Sequence, residues 1–328
     1  MSTTVNHDLI LASPVARALV QIGDRWTALI LRDAFLGVRH FEEFRRRSGA
    51  ARGTLASRLK GMVENDILYK RPYQDSPTRY EYRLTEKGRD LYPFMLAVWA
   101  WETRWSEERH IPPALTHSLC GNRMRPKFRC SDCHTPILPR EVTFEAGRGQ
   151  HSSKKIPPRF QRRSRASSES GHDIDRRFFH VLDVIGDRWT GLVVAALYFG
   201  LNRFDEIGSA LGIATNILAD RLKLLVSVEV IQKIPYQIKP VRYEYRLTEK
   251  GSALYTNVLQ MHEWAERWLA GDDETTLILT HVPCGSRLHS ELVCSECLQV
   301  LKASEVTYDR EFFREDSASS LQAERAIQ

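Results

Sequence analysis

The chain has 328 residues, of which 42% are hydrophobic and 27% charged, a composition typical of folded globular proteins and not of disordered or fibrous ones. This length suits two domains of ordinary size. The apolar run 94–101 is far shorter than the roughly 20 residues that cross a bilayer, and the N-terminus lacks a signal-peptide pattern. We therefore expect a cytoplasmic protein without a membrane segment. The net charge of +6 favours a polyanionic partner.

The sequence contains an internal duplication. IGDRWT stands at 22–27 and again at 185–190, and RYEYRLTEKG stands at 79–88 and 242–251. Ten identical residues in one register indicate two copies of one unit. We therefore expect main units at 1–110 and 173–272, followed by smaller segments at 111–146 and 273–312. The stretch 147–172, rich in Ser, Gly and basic residues, predicts a flexible basic linker, and 313–328 predicts a disordered tail.

The first unit opens with signals for two helices. Ser13 before Pro14 predicts an N-cap and a first helical turn. Asp24 is expected to cap the next helix, whose apolar spacing begins at Trp26. IGDRWT is therefore interpreted mainly as a junction between two helices, with a tryptophan that packs in the core.

The following elements predict a helix-turn-helix and a β-hairpin. Residues 39–49 read as a short helix that ends at a glycine, and residues 52–65 as a second helix with an apolar face. Residues 67–85 predict two strands joined by a Pro-containing turn, because apolar and polar residues alternate. Thr85 is expected to cap a further helix.

The last helix of each unit carries a tryptophan stripe. Trp101 and Trp105 are four residues apart, as are Trp264 and Trp268 in the second copy, so each pair lies on one helix face. Such a stripe is usually part of a core, and these two could face one another between the repeats.

The six cysteines are three to a unit, each set with one histidine in the pattern H-x2-C-x9-C-x2-C. One imidazole and three thiolates match a closed tetrahedral structural zinc site, so we expect up to two zinc ions. Disulfides are disfavoured by the odd number of thiols and a reducing cytosol. A metal-free relic and a redox- or metal-sensing site are the alternatives. The predicted ligands are His117, Cys120, Cys130 and Cys133 in the first unit and His281, Cys284, Cys294 and Cys297 in the second.

Each unit resembles the HxlR-type winged helix-turn-helix transcription regulators of prokaryotes. The resemblance rests on IGDRWT, HFEEF or RFDEI, LASRLK or LADRLK, PTRYEYRLTEKG or PVRYEYRLTEKG, and the Trp-bearing helix. It covers residues 10–108 and 173–270. It implies a mainly α fold with small β wings (α+β), here two tandem domains that we expect to be followed each by a zinc-ribbon-like segment. Because members of this family typically act as homodimers on operator DNA, a fused duplicate resembles a dimer written in one chain.

The second helix of each helix-turn-helix supplies the predicted DNA-reading face. A helical wheel that turns its leucines inward exposes the opposite face, which in this fold would enter the major groove. The expected contacts are Arg52, Thr54, Ser57, Arg58, Lys60 and Arg79 in the first unit and Thr215, Asn216, Arg221, Lys223, Lys239 and Arg242 in the second. For Arg58 and Arg221 a packing role is an equal alternative, because they flank the apolar face.

The sequence thus predicts a sequence-specific transcription regulator, not an enzyme, that binds double-stranded DNA as an intramolecular pseudo-dimer. Four protein ligands leave a zinc ion no open position for catalysis. A protein-interaction scaffold whose winged helices have lost DNA binding is one alternative. This alternative is supported by Asp220, which replaces Ser57. Its carboxylate would repel phosphate, unless it instead accepts a hydrogen bond from cytosine. A redox- or metal-responsive regulator is another alternative. A further homodimer is compatible with the duplication, and the sequence does not identify an effector.

Overall fold

The computed structural model describes residues 7–106, 115–147, 181–182, 184, 186–270 and 276–308. The predicted linker, beyond Gly147, and the predicted tail at 313–328 lie outside these residues. We call residues 7–147 repeat one and residues 181–308 repeat two. Among the helices described, none combines the length and the apolar character that a membrane span requires.

Repeat one is helical except for a hairpin and a set of short strands. Its helices are α1 (His7–Leu11), α2 (Pro14–Ile22), α3 (Arg25–Phe35), α4 (Phe41–Ser48), α5 (Arg52–Glu64), α6 (Glu86–Arg89) and α7 (Tyr92–Trp105). Its strands are β1 (Leu68–Asp75), β2 (Thr78–Leu84), β3 (Leu115–His117), β4 (Arg123–Met124), β5 (Pro126–Cys130) and β6 (Val142–Ala146).

Repeat two follows the same order over the part that is described. Its helices are α8 (Arg188–Tyr198), α9 (Phe204–Leu211), α10 (Thr215–Ser227), α11 (Glu249–Ser252) and α12 (Tyr255–Leu269). Its strands are β7 (Ile231–Ile238), β8 (Val241–Leu247), β9 (Leu277–His281), β10 (Ser290–Cys294) and β11 (Val306–Thr307).

The predicted helix starts are confirmed by their capping hydrogen bonds. The Ser13 hydroxyl accepts a hydrogen bond from the Ala16 backbone N–H at 3.2 Å. The Asp24 carboxylate accepts from the first turn of α3 at 3.1 and 3.2 Å, and the Thr85 hydroxyl accepts from Gly88 at 3.0 Å. Each cap satisfies backbone donors that a helix start would otherwise leave unpaired.

Each repeat folds as a helix-turn-helix followed by an antiparallel hairpin, as predicted. The first helix of the motif ends at a left-handed glycine, Gly49 with φ 67° and Gly212 with φ 58°. The hairpin of repeat one is formed by β1 and β2, and that of repeat two by β7 and β8. The second helix buries Leu55, Leu59 and Met62 in repeat one and Leu218, Leu222 and Leu225 in repeat two.

The two IGDRWT segments meet one another. Asp24 and Asp187 form an antiparallel backbone bridge between the repeats. Both glycines of the motif are required by close approach: a Cβ on Gly23 would lie 2.5 Å from the Leu19 carbonyl oxygen, and one on Gly186 would lie 2.3 Å from the Leu182 carbonyl oxygen. The Cβ on Gly186 would also lie 3.2 Å from the Cα atom of Arg25 in the other repeat. The sequence interpretation of this motif as a helix junction was therefore incomplete, because it is also a contact between repeats.

The tryptophan stripes lie in the contact between repeats, where they make reciprocal hydrogen bonds. Trp101 donates from Nε1 to the Lys250 carbonyl, and Trp264 donates from Nε1 to the Lys87 carbonyl, both at 3.0 Å. Helix α2 of repeat one packs against α12 of repeat two, and Arg17 donates to the Leu269 carbonyl at 3.3 Å. Buried apolar side chains of both repeats belong to one continuous core cluster.

The short strands pair across the repeats, which differs from the prediction of two separate zinc-ribbon-like segments. Strand β5 pairs with β10, β6 with β9, and β3 with β11, all antiparallel. Among the described strands in 115–147 and 276–308, only β3 and β4 pair within one repeat. Residues 115–147 and 276–308 therefore interleave in one structure, which we call the ribbon unit.

Helix α12 carries a buried amide where repeat one has an aromatic ring. Asn257 is fully buried, and neither its side-chain nitrogen nor its oxygen has a hydrogen-bond partner among the described residues. The corresponding residue of repeat one is Phe94, which is 3% exposed. A buried polar group without a partner costs about 1–3 kcal/mol.

We predict that Asn257→Leu stabilises the protein, because it removes this desolvated amide and keeps the same branched arrangement of heavy atoms. The free energy of unfolding, measured by urea denaturation, should rise by about 1–2 kcal/mol. The reciprocal variant Phe94→Asn should lower it by about 3–5 kcal/mol, the range for losing a large buried side chain. A drop in stability for Asn257→Leu would mean that the amide has a partner.

Candidate nucleic-acid interface and metal centres

Helix α5 presents a polar surface on the side away from its buried leucines. Arg52, Ser57 and Lys60 are exposed and Thr54 is half-buried, as the helical wheel predicted. Arg52 pairs with Glu42 at 3.0 Å, and Lys60 with Glu64 at 3.7 Å. Exposed ion pairs of this kind are weak and readily exchanged, so both cations can turn to another anion.

Helix α10 presents the matching surface in repeat two. Thr215, Asn216, Asp220 and Lys223 are all exposed. Asp220 stands where repeat one has Ser57, so the two surfaces have the same shape but different charge. The difference lies at the centre of the exposed face.

Arg58 and Arg221 form ion pairs with the capping aspartates of the IGDRWT segments, which favours the packing alternative of the sequence analysis over direct DNA contact. Arg58 pairs with Asp24 at 3.0 Å, and Arg221, only 8% exposed, pairs with Asp187. Each pair joins the second helix of the motif to the helix cap at the contact between repeats. Sequence reasoning assigned the aspartates only to capping, and only the tertiary fold brings the arginines to them.

The wings display cations and aromatic rings. Arg79 and Arg242 are exposed at the start of the second strand of each hairpin, and Lys239 is exposed in the turn of repeat two. Wing lysines lie over tyrosine rings: the Lys70 ammonium is 5.7 Å from the Tyr80 ring centroid. The tip differs between repeats, since the exposed apolar pair Ile238 and Val241 replaces Asp75 and Thr78.

A glutamate in the RYEYR segment of each wing forms the same ion pair in both repeats. Glu81 pairs with Arg83 at 2.8 Å, and Glu244 pairs with Arg246 at 2.6 Å. The hydrogen bond from Arg83 lowers the pKa of the Glu81 carboxyl below its ordinary value. Glu81 also forms a backbone bridge with His40 at the start of α4, so this segment joins the wing to the helix-turn-helix.

The eight predicted metal ligands gather in two clusters, and each cluster takes residues from both repeats. In each cluster the four potential ligand atoms lie within 4.8 Å of one another. We call them cluster A (His117, Cys120, Cys294 and Cys297) and cluster B (Cys130, Cys133, His281 and Cys284). The ligand set is therefore as predicted, but its division is different: the sequence spacing suggested one complete set per repeat.

The distances in both clusters suit a tetrahedral zinc ion. With Zn–S of about 2.3 Å and Zn–N of about 2.05 Å, a tetrahedron has S–S edges of about 3.8 Å and N–S edges of about 3.6 Å. In cluster A, Cys120 Sγ lies 3.9 Å from Cys294 Sγ and 3.5 Å from His117 Nδ1. In cluster B, Cys284 Sγ lies 3.9 Å from Cys130 Sγ and 3.4 Å from His281 Nδ1.

The surroundings of the clusters also suit metal ligation. Both histidines are fully buried and turn Nδ1 to the thiols. The Glu305 carboxylate lies 3.9 Å from His117 Nε2, beyond hydrogen-bond distance but on the side where a ligating histidine commonly meets a carboxylate. Hydrogen bonding with Thr135 lowers the pKa of the Cys133 thiol to about 6, whereas burial raises the pKa of the Cys130 thiol in the same cluster; metal ligation requires the thiolate.

Each ligand turn also adopts an uncommon backbone conformation directly after its second ligand. The residues there have a positive φ: 72° at Gly121 and 73° at Gly285, and also 59° at His134 and at Leu298, which carry side chains. Side-chain-bearing residues adopt this conformation rarely, and it often marks functional turns.

The chain is similar to known regulators in both of its repeats. The family model described as HxlR-like helix-turn-helix matches residues 21–110 and 184–273, together more than half of the chain. The uncharacterized HTH-type transcriptional regulator Rv3095 of Mycobacterium tuberculosis is 43% identical over 136 residues, which cover 41% of this chain and 86% of that protein. The HTH-type transcriptional regulator YodB of Bacillus subtilis is 36% identical over 91 residues, 27% of this chain and 81% of that protein.

A solved structure of the reduced form of YodB gives a TM-score of 0.27 at 35% identity, covering 29% of this chain and 95% of that one. Both relatives are matched over most of their own length by well under half of this chain, so each corresponds to about one repeat. The two family matches coincide with the two helix-turn-helix and wing units seen in the fold. The chain therefore belongs to the HxlR-like helix-turn-helix family of transcriptional regulators and carries two copies of its domain.

Proposed function

We propose that this regulator binds operator DNA as a covalent pseudo-dimer, with one winged helix-turn-helix domain for each half of the operator. The observation that supports this most directly is the reciprocity of the contact between repeats. The hydrogen bond from Trp101 to the Lys250 carbonyl is matched by that from Trp264 to the Lys87 carbonyl. Such reciprocal pairing is the mark of a twofold, isologous interface, and dimeric helix-turn-helix proteins use that symmetry to read two half-sites.

The exposed residues of each unit supply the proposed DNA contacts. Arg52, Thr54, Ser57 and Lys60 would face the major groove in one half-site, and Thr215, Asn216 and Lys223 in the other. Arg79, Lys239 and Arg242 would bind the backbone beside the wings, where cations fix the orientation of a protein on DNA. Arg58 and Arg221 would act indirectly, since their ion pairs fix the reading helices to the helix caps.

The two half-sites of the proposed operator are unequal. Asp220 would repel a phosphate at the position where the Ser57 hydroxyl can donate to one, and a carboxylate there can accept a hydrogen bond from the exocyclic amine of cytosine. The wing tips differ in the same sense, because Ile238 and Val241 can contact the groove by apolar surface whereas Asp75 is repelled by the backbone. A palindromic operator would leave one of the two readers poorly matched.

Structural zinc in clusters A and B completes the proposed architecture. Three thiolates and one imidazole fit zinc in both clusters and leave it no open position, so the metal would supply folding energy. The proposed domains are two winged units, 1–110 and 173–272, each followed by a smaller segment, 111–146 and 273–312, whose described residues contribute to the ribbon unit. A regulator of chromosomal DNA would reside in the cytoplasm, which we propose as its location.

The test is the recovery of genomic DNA fragments by the purified protein, with the molar mass measured by light scattering in the same preparation. We expect enrichment of two unequal half-sites about one helical turn apart, bound by a particle of one chain. A particle of two chains on four half-sites would indicate a further homodimer. Recovery that shows no sequence preference and only a salt-sensitive background would favour a scaffold function instead.

A further inference from the structure

The division of ligands between the clusters gives each proposed metal ion a role in joining the repeats. Each repeat has an H-x2-C turn and a C-x2-C turn. In cluster A the H-x2-C turn comes from repeat one and the C-x2-C turn from repeat two, and in cluster B the origin is reversed. Every complete set of four ligands therefore crosses the contact between repeats.

Strand register explains this exchange. Strands β5 and β10 pair from Cys130 opposite Ser290 to Cys294 opposite Pro126, so the two C-x2-C turns leave opposite ends of one ribbon. The outer strands place the histidines beside strands of the other repeat: His117 pairs with Val306, and His281 pairs with Val142. Each C-x2-C turn thus arrives at the H-x2-C turn of the other repeat.

The ribbon unit is also attached to the helices that connect it with the DNA-reading domains. Ser290, which pairs in register with Cys130, donates from its hydroxyl to Glu263 of α12 at 2.7 Å. Phe144 of repeat one packs edge-on against Phe199 of repeat two, with ring centroids 4.6 Å apart. The ribbon unit is therefore in contact with α12 and with the C-terminal end of α8.

We infer that two zinc ions cross-link the repeats, one in each cluster, and hold the two DNA-reading domains in a fixed mutual arrangement. This inference rests on the proposed zinc binding and adds that neither repeat can complete a site from its own residues. It also assigns the H-x2-C-x9-C-x2-C pattern a new meaning. Each repeat carries two incomplete pairs of metal ligands, and a second copy of the repeat supplies the pairs that complete them.

Two double variants distinguish crossed sites from sites within one repeat. Cys120→Ser with Cys297→Ser removes two ligands of cluster A and none of cluster B. Cys120→Ser with Cys133→Ser removes one ligand from each cluster. If each repeat built its own site, the first variant would damage both sites and the second only one.

The measurement is the number of zinc ions per chain, determined by elemental mass spectrometry after equilibration with a chelator of intermediate affinity. We expect two ions in the wild-type protein, one in Cys120→Ser with Cys297→Ser, and none in Cys120→Ser with Cys133→Ser. With cobalt in place of zinc, the intensity of the thiolate-to-metal absorption should decrease in the same order across the three proteins. One ion in Cys120→Ser with Cys133→Ser and none in the other variant would overturn the inference.

A measurement on the wild-type protein guards against variants that fail to fold. After exchange with cadmium-113, scalar coupling from one ion to the β-protons of both Cys120 and Cys294 would support the crossed assignment. Coupling of one ion to both Cys120 and Cys130 would contradict it. A wild-type protein without bound metal would refute zinc binding itself, whereas the DNA proposal is tested separately by the recovery of genomic fragments.

Discussion

Removal of zinc is expected to unfold the ribbon unit while the two winged helix-turn-helix domains stay folded. Strands of the ribbon unit are two to five residues long, too short to be stable alone. Structural zinc sites contribute about 10–16 kcal/mol of apparent binding free energy in small zinc-finger peptides. The winged domains have their own buried helices, so their stability does not depend on the metal in the same way.

Hydrogen exchange followed by mass spectrometry measures this effect by segment. After treatment with a strong chelator, amides in 126–130 and 290–294 should lose their protection, and those in α5 and α10 should keep it. Cys130→Ser should produce the same loss around cluster B without a chelator. Ser131→Ala is the matched control, because it changes the adjacent side chain and leaves every ligand in place. Retained protection in both strands after complete metal removal would rule out a structural role for zinc.

Local signals in the sequence were sufficient to predict the elements of each repeat. Ser13, Asp24 and Thr85 are helix caps whose side-chain oxygens accept from backbone N–H groups no more than three residues away. Gly49 ends a helix by adopting the left-handed conformation. Such signals need no knowledge of the rest of the fold. The duplicated motifs are local signals of the same kind, so they indicate the family without knowledge of any tertiary contact.

The arrangement between repeats could not be predicted from these signals. Identical ligand spacing in both repeats is compatible with two closed sites or with two exchanged ones, and strands as short as β5 carry little information about their partner. The ion pair of Arg221 could not be predicted for the same reason. Its place on the helix was predicted correctly, but its ion pair with Asp187 depends on how α10 packs against α8. The sequence does contain IGDRWT twice, which is compatible with a segment that contacts its own copy.

Removal of the exposed cations of one reader should weaken DNA binding without affecting the fold. We predict that Lys60→Ala with Arg79→Ala lowers affinity for the selected operator by about ten- to a hundredfold near 150 mM salt. Each phosphate contact contributes about 0.9 to the slope of log affinity against log salt concentration, so the slope should fall by about two. The melting temperature should not change, because both side chains are exposed.

The matched variants make this result specific to the reading face. Lys127→Ala with Arg140→Ala removes the same two charges from exposed sites of the ribbon unit and should leave the affinity and the salt slope nearly unchanged. Lys223→Ala with Arg242→Ala removes the cations of the other reader. Footprinting should show each reader variant losing protection over a different half-site, since the repeats are joined but their reading surfaces are not equivalent. Equal losses from the ribbon control would mean that net charge, and not the reading face, determines the affinity.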